Sequence, residues 1–265
     1  MKKVNKKIVL LSALSAFLLL SGCTKVSEES VMDRIAHGDK KIVWATVVTT
    51  PLIGQLNVNT GEVEGHDADV ARAITKELTG SADNAEFVEV SSQNRVAFVK
   101  NNIADAVIST MTITEEREKV IDFTDPYYIG GQAFIVPDGS AINGVADLTA
   151  ESVVAGAKGT TMMLNMKTLA PQAQTREYDT ESEAFTTLVA GQADAYTSDN
   201  VILMGMMSQT PGFHMAGGRL TNEPYGIAIN EDDDAFLAAL NNAIAKLKAD
   251  GTIAAIDDKW FGEFE

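Results

Sequence analysis

Cysteine is almost absent: Cys23 is the only one in 265 residues, so no disulfide can form within the chain. Histidine is nearly as scarce. His37, His66 and His214 stand far apart with no cysteine pair beside them, which leaves no metal-binding spacing. Basic residues are outnumbered, 21 against 37 acidic, for a net charge of −16. A chain of that sign is a poor partner for nucleic acid or for an anionic lipid surface. Neither a Gly-x-Ser-x-Gly elbow nor a Gly-x-x-x-x-Gly-Lys phosphate loop occurs, so serine–histidine catalysis and phosphate-loop chemistry have no motif to rest on. No cofactor is expected, and the chain carries no internal repeat or low-complexity block.

The one sustained apolar run, Ile8 to Leu20, follows Lys2, Lys3, Lys6 and Lys7 and ends at Leu20-Ser21-Gly22-Cys23. It is shorter than the about 20 residues that span a bilayer. A basic start, a short apolar core and small residues before a cysteine read as a signal peptide over residues 1–22 that closes at a lipobox. Cys23 is then the lipid acceptor, and more than one acyl chain there gives stable anchoring. Residues 23–40 are expected to be anchor and spacer, with a polar stretch from Thr24 to Ser30. The protein is therefore expected outside the cytoplasm, tied to the cell membrane through Cys23. The roughly 240 residues that follow the signal allow one large domain or two smaller ones.

From Lys41 onward, short β-like runs alternate with helix-like ones, the pattern of α/β layers with mostly parallel strands. Strands are predicted at Lys41–Thr46, Glu86–Val90, Ala106–Thr110, Ala133–Pro137, Ser152–Ala157, Thr175–Asp179, Ala193–Ser198 and Tyr225–Asn230. A helix over His66–Thr79 places Val70, Ile74 and Leu78 four apart and stops at Gly80. Another over Ala235–Ala249 puts Phe236, Leu240, Ile244 and Leu247 on one stripe, behind three aspartates that suit its positive end. Joints near Gly130-Gly131 and between Gly217 and Gly226 read as crossings between two lobes. One lobe would then hold residues 41–131 and 227–265, the other residues 132–226.

The most informative stretch runs from Asp105 through Ser109-Thr110-Met111-Thr112-Ile113-Thr114-Glu115-Glu116-Arg117, followed by Asp122-Phe123-Thr124-Asp125-Pro126-Tyr127-Tyr128. A strand delivers hydroxyls to its carboxyl end, where α/β sheets bind ligands, and an arginine follows. A planar, permanently charged fork with neutral donors around it is what a carboxylate requires. Arg117 is either that fork or a surface partner of Glu115 or Glu116. Thr160 and Thr161 lie between a strand and a helix-like run, where free N–H groups reach an anion or a threonine simply caps the helix. Asp199 follows a strand and is either a ligand acid or the cap of the next helix.

These runs, together with Gly65-His66-Asp67-Ala68-Asp69, Gly159-Thr160-Thr161, Ala190-Gly191-Gln192-Ala193-Asp194, Glu223-Pro224-Tyr225-Gly226 and Lys259-Trp260-Phe261, resemble the polar amino-acid family of solute-binding proteins, family 3. The resemblance covers nearly the whole chain after the signal. It implies a two-lobed periplasmic-binding-protein-like fold, each lobe a mostly parallel sheet flanked by helices, joined by a two-stranded hinge. It implies a monomer that captures an amino acid and delivers it to an ABC permease. Arg117 would then hold the ligand α-carboxylate with Ser109, Thr110 and Thr112, while Thr160 and Thr161 reach the same group. Asp199 would accept the α-ammonium.

Ser92-Gln93-Asn94-Arg95 is similar to the motif of glutamate- and aspartate-binding members, where the arginine meets the side-chain carboxylate and the serine assists. Arg95 otherwise opens the helix-like run Arg95–Asn101 and is solvated. The segment Thr46 to Leu52 lacks the aromatic and the second arginine that members place there, and His66 stands where a phenylalanine is usual. The expected ligand is an acidic amino acid, with glutamine or another polar one as the alternative. A dehydratase of cyclohexadienyl acids on the same scaffold needs a general acid; Glu181 and Glu183 are the candidates, on a helix whose exposed face naturally carries acids. A ligand-sensing subunit is a further alternative. Met162, Met163, Met166, Met204, Met206 and Met207 are expected to pack the core.

Overall fold

The computed structural model describes residues 29–263; the signal-peptide and lipidation readings, Cys23 included, lie outside them. Helix α1 (Val31–Ala36) leads into β1 (Ile42–Thr46) and a small antiparallel sheet of β2 (Thr49–Thr50), β3 (Gly54–Leu56) and β4 (Val63–Glu64). Then come α2 (His66–Thr79), β5 (Ala85–Glu89), α3 (Arg95–Lys100), β6 (Ala106–Val107), β7 (Asp122–Phe123) and β8 (Tyr128–Gly130). The middle of the chain runs β9 (Gln132–Pro137), β10 (Val153–Ala157), α4 (Thr161–Leu169), β11 (Gln174–Tyr178), α5 (Glu181–Val189), β12 (Ala195–Asp199), α6 (Asn200–Gln209), β13 (Phe213–Met215) and β14 (Glu223–Tyr225). It closes with β15 (Ala228–Ile229), α7 (Asp234–Ala249) and α8 (Thr252–Phe261).

Two five-stranded sheets result, ordered β5-β1-β6-β15-β7 and β11-β10-β12-β9-β13. In each, one strand runs against the other four. It is the strand that has just crossed between lobes, β15 in the first and β9 in the second. Between the sheets β8 pairs antiparallel with β14, from Tyr128 opposite Tyr225 to Gly130 opposite Glu223, and this two-stranded ribbon is the hinge.

The local reasons are legible. β1 is covered on both faces, and the fully buried Trp44 satisfies its indole N–H on Thr75 Oγ1 at 2.9 Å, as a central parallel strand requires. Helix α2 buries Val70, Ala71 and Ile74 and ends at Gly80 in the left-handed conformation. In α7, the Asp233 side chain accepts from the Phe236 N–H, and Lys246 and Lys248 occupy the last turn, where the helix dipole favours cations. Met162, Met163, Met166 and Met206 are buried.

Three expectations are corrected. The strand foreseen over Ala106–Thr110 ends at Val107, because Thr110 turns to a φ of 42°. Tyr225–Asn230 is not one strand: it breaks at Gly226, where the chain returns to the first lobe and a Cβ would sit 2.8 Å from the Ile113 and Phe123 side chains. Not all of the stretch read as spacer is spacer. Ser30 caps α1, and Arg34, buried, pairs with the buried Asp105, so the packed body begins there.

Candidate functional site

In each sheet the strand order reverses once: β1 is flanked by β5 and β6, and β10 by β11 and β12. At such a point the loops leaving adjacent strands part and border a crevice at the strands' carboxyl ends. The loops after β1, β5 and β6 bring Thr50, Ser92, Arg95, Thr110, Thr112 and Arg117 to one wall of a cavity; those after β10, β11 and β12 bring Thr160, Thr161, Glu181 and Asp199 to the other. The space between these walls is about 20 Å³, room for about one water, and a larger space of about 250 Å³ adjoins it, sharing Val47, Thr50, Ser92 and Glu181.

Direct contacts hold the lobes together around this cavity. Arg117 Nη2 donates to the Gly159 carbonyl at 3.1 Å, Ser182 Oγ to the Thr49 carbonyl at 3.1 Å, and Gln93 Nε2 to Asp179 at 3.3 Å. On α6, a Cβ at Gly205 would lie 2.4 Å from the Pro51 carbonyl oxygen of the opposite lobe. Gly205→Ala is therefore expected to keep the lobes from closing fully while removing a helix-weakening glycine, worth about 1 kcal/mol. Ligand affinity should fall while the ligand-free melting temperature holds or rises, as thermal unfolding with and without ligand would show. Unchanged affinity would mean that closure does not need this approach.

Arg117 spends its fork on two neutral acceptors, Nη1 on the Thr112 carbonyl at 2.6 Å and Nη2 on Gly159. Burial lowers its pKa, and the carboxylates of Glu223 and Asp199 oppose that. A carboxylate arriving here would replace neutral hydrogen bonds by charge-assisted ones. Asp199 occupies the N-cap position of α6 but makes no capping bond. It is 4 % exposed, and its Oδ1 has no hydrogen-bond partner among the described residues. Burial pushes its carboxyl well above the usual range; the nearby Tyr225 hydroxyl works against this, and Glu223 and Glu181 add to it. The chemistry that relieves such a group is a cation.

Arg95 is not solvated. It is 3 % exposed, Nη1 donates to the Ser109 carbonyl, and Nε has no partner among the described residues. Burial, with the Arg117 charge beside it, pulls its pKa down to about 9, against the pull of Asp199 and Glu181, so it stays a cation at neutral pH. Ser109 is behind the wall and contributes its carbonyl rather than a hydroxyl. Thr160 returns its hydroxyl to the Ala157 carbonyl and Thr161 reaches Glu223 at 3.3 Å; α4 has no side-chain cap.

Of the two acids considered for the cleft, Glu181, the first residue of α5, is not on an exposed face: it is buried, lines the cavity, and accepts from the Tyr196 hydroxyl at 2.5 Å. Burial raises its pKa, while the Tyr196 hydroxyl and the Arg95 charge hold it down. Glu183, the neighbouring acid, completes a capping box with Thr180 and faces outward. The cavity wall thus carries two arginines and two acids, Asp199 and Glu181. Val47 and Thr50 line it where an aromatic was missed.

Two α/β lobes on a paired-strand hinge, with charged side chains meeting across one cavity, define a binding protein for a small ligand. The model of the bacterial extracellular solute-binding proteins, family 3, matches residues 42–263, and the chain belongs to that family. It is 39 % identical over 268 residues to the ABC transporter glutamine-binding protein GlnH of Bacillus subtilis, covering 97 % of this chain and 98 % of the relative. It is also 39 % identical over 202 residues to the glutamine-binding protein of Geobacillus stearothermophilus, covering 76 % and 77 %. The glutamate-binding protein GluB of Corynebacterium efficiens is 29 % identical over 266 residues, covering 95 % and 89 %. Among solved structures, an ancestral arginine-binding protein bound to glutamine matches with a TM-score of 0.78 at 35 % identity, covering 84 % of this chain and 98 % of that one. No described helix is long and apolar enough to cross a membrane.

Proposed function

We propose that this chain is the extracytoplasmic, lipid-anchored capture subunit of an ABC importer and that its ligand is glutamine. The observation that carries the reading is the charge balance of the cavity. Arg117 from one lobe and Asp199 from the other are the complements of an amino acid's carboxylate and ammonium, and each has hydrogen-bonding capacity to offer. What remains is Arg95 opposed by Glu181. A wall that sets an arginine against an acid suits a side chain that is polar and neutral and both donates and accepts, as a carboxamide does. Glutamate would bring a third carboxylate beside Glu181, and an arginine ligand a third guanidinium beside Arg95; burial of unbalanced charge opposes both. The likeness to glutamine-binding relatives supports the same assignment over the acidic ligand suggested by the Ser92 to Arg95 motif. Because Arg117 and Asp199 sit on different lobes, a zwitterion bridging them favours the closed form, the form offered to a permease.

A thermal-shift scan against the common amino acids tests this. Glutamine at ~1,000 times its dissociation constant should add about 4 kcal/mol, a shift of roughly 8–16 °C at this chain length. The shift should shrink on acidification. An ammonium needs the ionised form of Asp199, whose ligand-free pKa lies above its ordinary value, so affinity is lost as pH falls through that raised value. Silence with every amino acid would sink the capture reading, and a shift that grew towards low pH would remove Asp199 from its role.

A further inference from the structure

Behind the cavity lies a buried chain of polar groups that starts at the C-terminal helix. His66, the first residue of α2, is 1 % exposed. Its Nε2 lies 2.7 Å from Asp257 on α8 and its Nδ1 3.1 Å from Asp67. An ionised carboxylate only accepts, so with both acids ionised the ring carries hydrogen on both nitrogens. Its ring packs on Phe261 at 4.7 Å, on Tyr127 at 6.1 Å and edge-on to Tyr128 at 5.3 Å. Nearby, Asp69 of α2 pairs with Lys259 of α8 at 2.6 Å and with Arg72 at 3.6 Å.

Asp67 is fully buried, and its second function is in the binding wall. It accepts from the Tyr127 hydroxyl at 2.9 Å and, through Oδ2, from the backbone N–H of Thr110 at 2.8 Å. Thr110 lines the cavity at φ 42°. A β-branched residue there is a genuine outlier, and such strain persists only where surrounding structure enforces it.

We propose that His66 is a positioning residue for the binding wall: doubly protonated, it ties α8 to Asp67, and Asp67 holds Thr110 in the left-handed turn that shapes the cavity. Burial alone would push His66 down, but the carboxylates of Asp257 and Asp67 outweigh it and hold its pKa above 6.5. The clamp is therefore complete below pH 6.5 and is lost as pH rises through the raised value. Deprotonation leaves one ring nitrogen without hydrogen against a carboxylate, and the Asp67–Thr110 bond loses its support. The lining role of Thr110 in ligand capture rests on the function proposed above; the His66–Thr110 linkage does not.

The test is a backbone NMR titration of the ligand-free protein between about pH 5.5 and 9, following the Thr110 amide and the His66 ring. Both should titrate with one midpoint above 6.5. In His66→Phe, which keeps a ring among Phe261, Tyr127 and Tyr128, the Thr110 amide should lose its pH dependence and exchange faster. In Asp257→Asn, a change at a partly exposed side chain, the shared midpoint should fall. A Thr110 amide indifferent to pH in the unaltered protein, or titrating unchanged in His66→Phe, would overturn the proposal. A glutamine titration is the second arm: affinity should drop roughly 2- to 30-fold above the midpoint and be pH-independent there in His66→Phe. If the NMR linkage appears while glutamine fails to bind, the ligand assignment falls and the positioning role stands.

Discussion

Arg117→Ala is expected to abolish most amino-acid binding, at a cost of about 3–5 kcal/mol, roughly a hundred- to several-thousand-fold in Kd. The fork is held ready by the Thr112 and Gly159 carbonyls, so little rearrangement is needed for a carboxylate to take it. Truncation leaves that carboxylate buried opposite Asp199 and Glu181 with a single remaining cation, Arg95. The same change removes a lobe-to-lobe hydrogen bond, which adds to the loss because closure itself weakens. Arg117→Lys separates the two contributions. A point charge retains attraction but not two parallel bonds, so an intermediate loss is expected from Lys and a full loss from Ala. Calorimetric titration of both variants is the measurement; equal and small losses would place the carboxylate elsewhere.

Glu181→Gln is expected to shift preference towards glutamate rather than abolish binding. The replacement is isosteric and keeps a partner for the Tyr196 hydroxyl, so the wall should hold its shape. What changes is charge: Arg95 is left without its opposing carboxylate, and a ligand carboxylate becomes the natural replacement. A charge-assisted hydrogen bond is worth about 1.5–3 kcal/mol, so the ratio of glutamate to glutamine affinity should rise on the order of 10- to 100-fold. Competition between the two ligands in one titration reads that ratio directly. A ratio that does not move would show that Glu181 does not set the ligand's charge.

The contrast between Arg117 and Glu181 shows what the sequence can carry. Arg117, Thr110, Thr112 and Asp199 stand in runs with a fixed order along strands and their exits, so the α/β alternation and the motif both point to them. Arg95 was flagged by its motif, and its burial was not settled by a short helix-like run that an exposed arginine fits equally well. Glu181 had nothing local to separate it from Glu183. It opens a helix, where acids are common for reasons of dipole and capping, and only the approach of the opposite lobe turns that end into a cavity wall. The turn at Thr110 was hidden for a similar reason. Threonine favours extended backbone, and the carboxylate that receives the N–H of the turned Thr110 is Asp67, 43 positions away. Helix α1 escaped because its six residues gain stability from Asp233 and Asp105, both distant in sequence.

The cavity is expected to hold a zwitterion with a neutral polar side chain between Arg117 and Asp199. Calorimetric titration of the unaltered protein with glutamine, glutamate and glutaramate, the glutamine analogue without the α-ammonium, tests this. Glutamine is expected to bind with one site per chain, glutamate at least about tenfold more weakly, and glutaramate not measurably, since Asp199 would then be buried without its cation. Glutamate binding as tightly as glutamine, or glutaramate retaining its affinity, would contradict it.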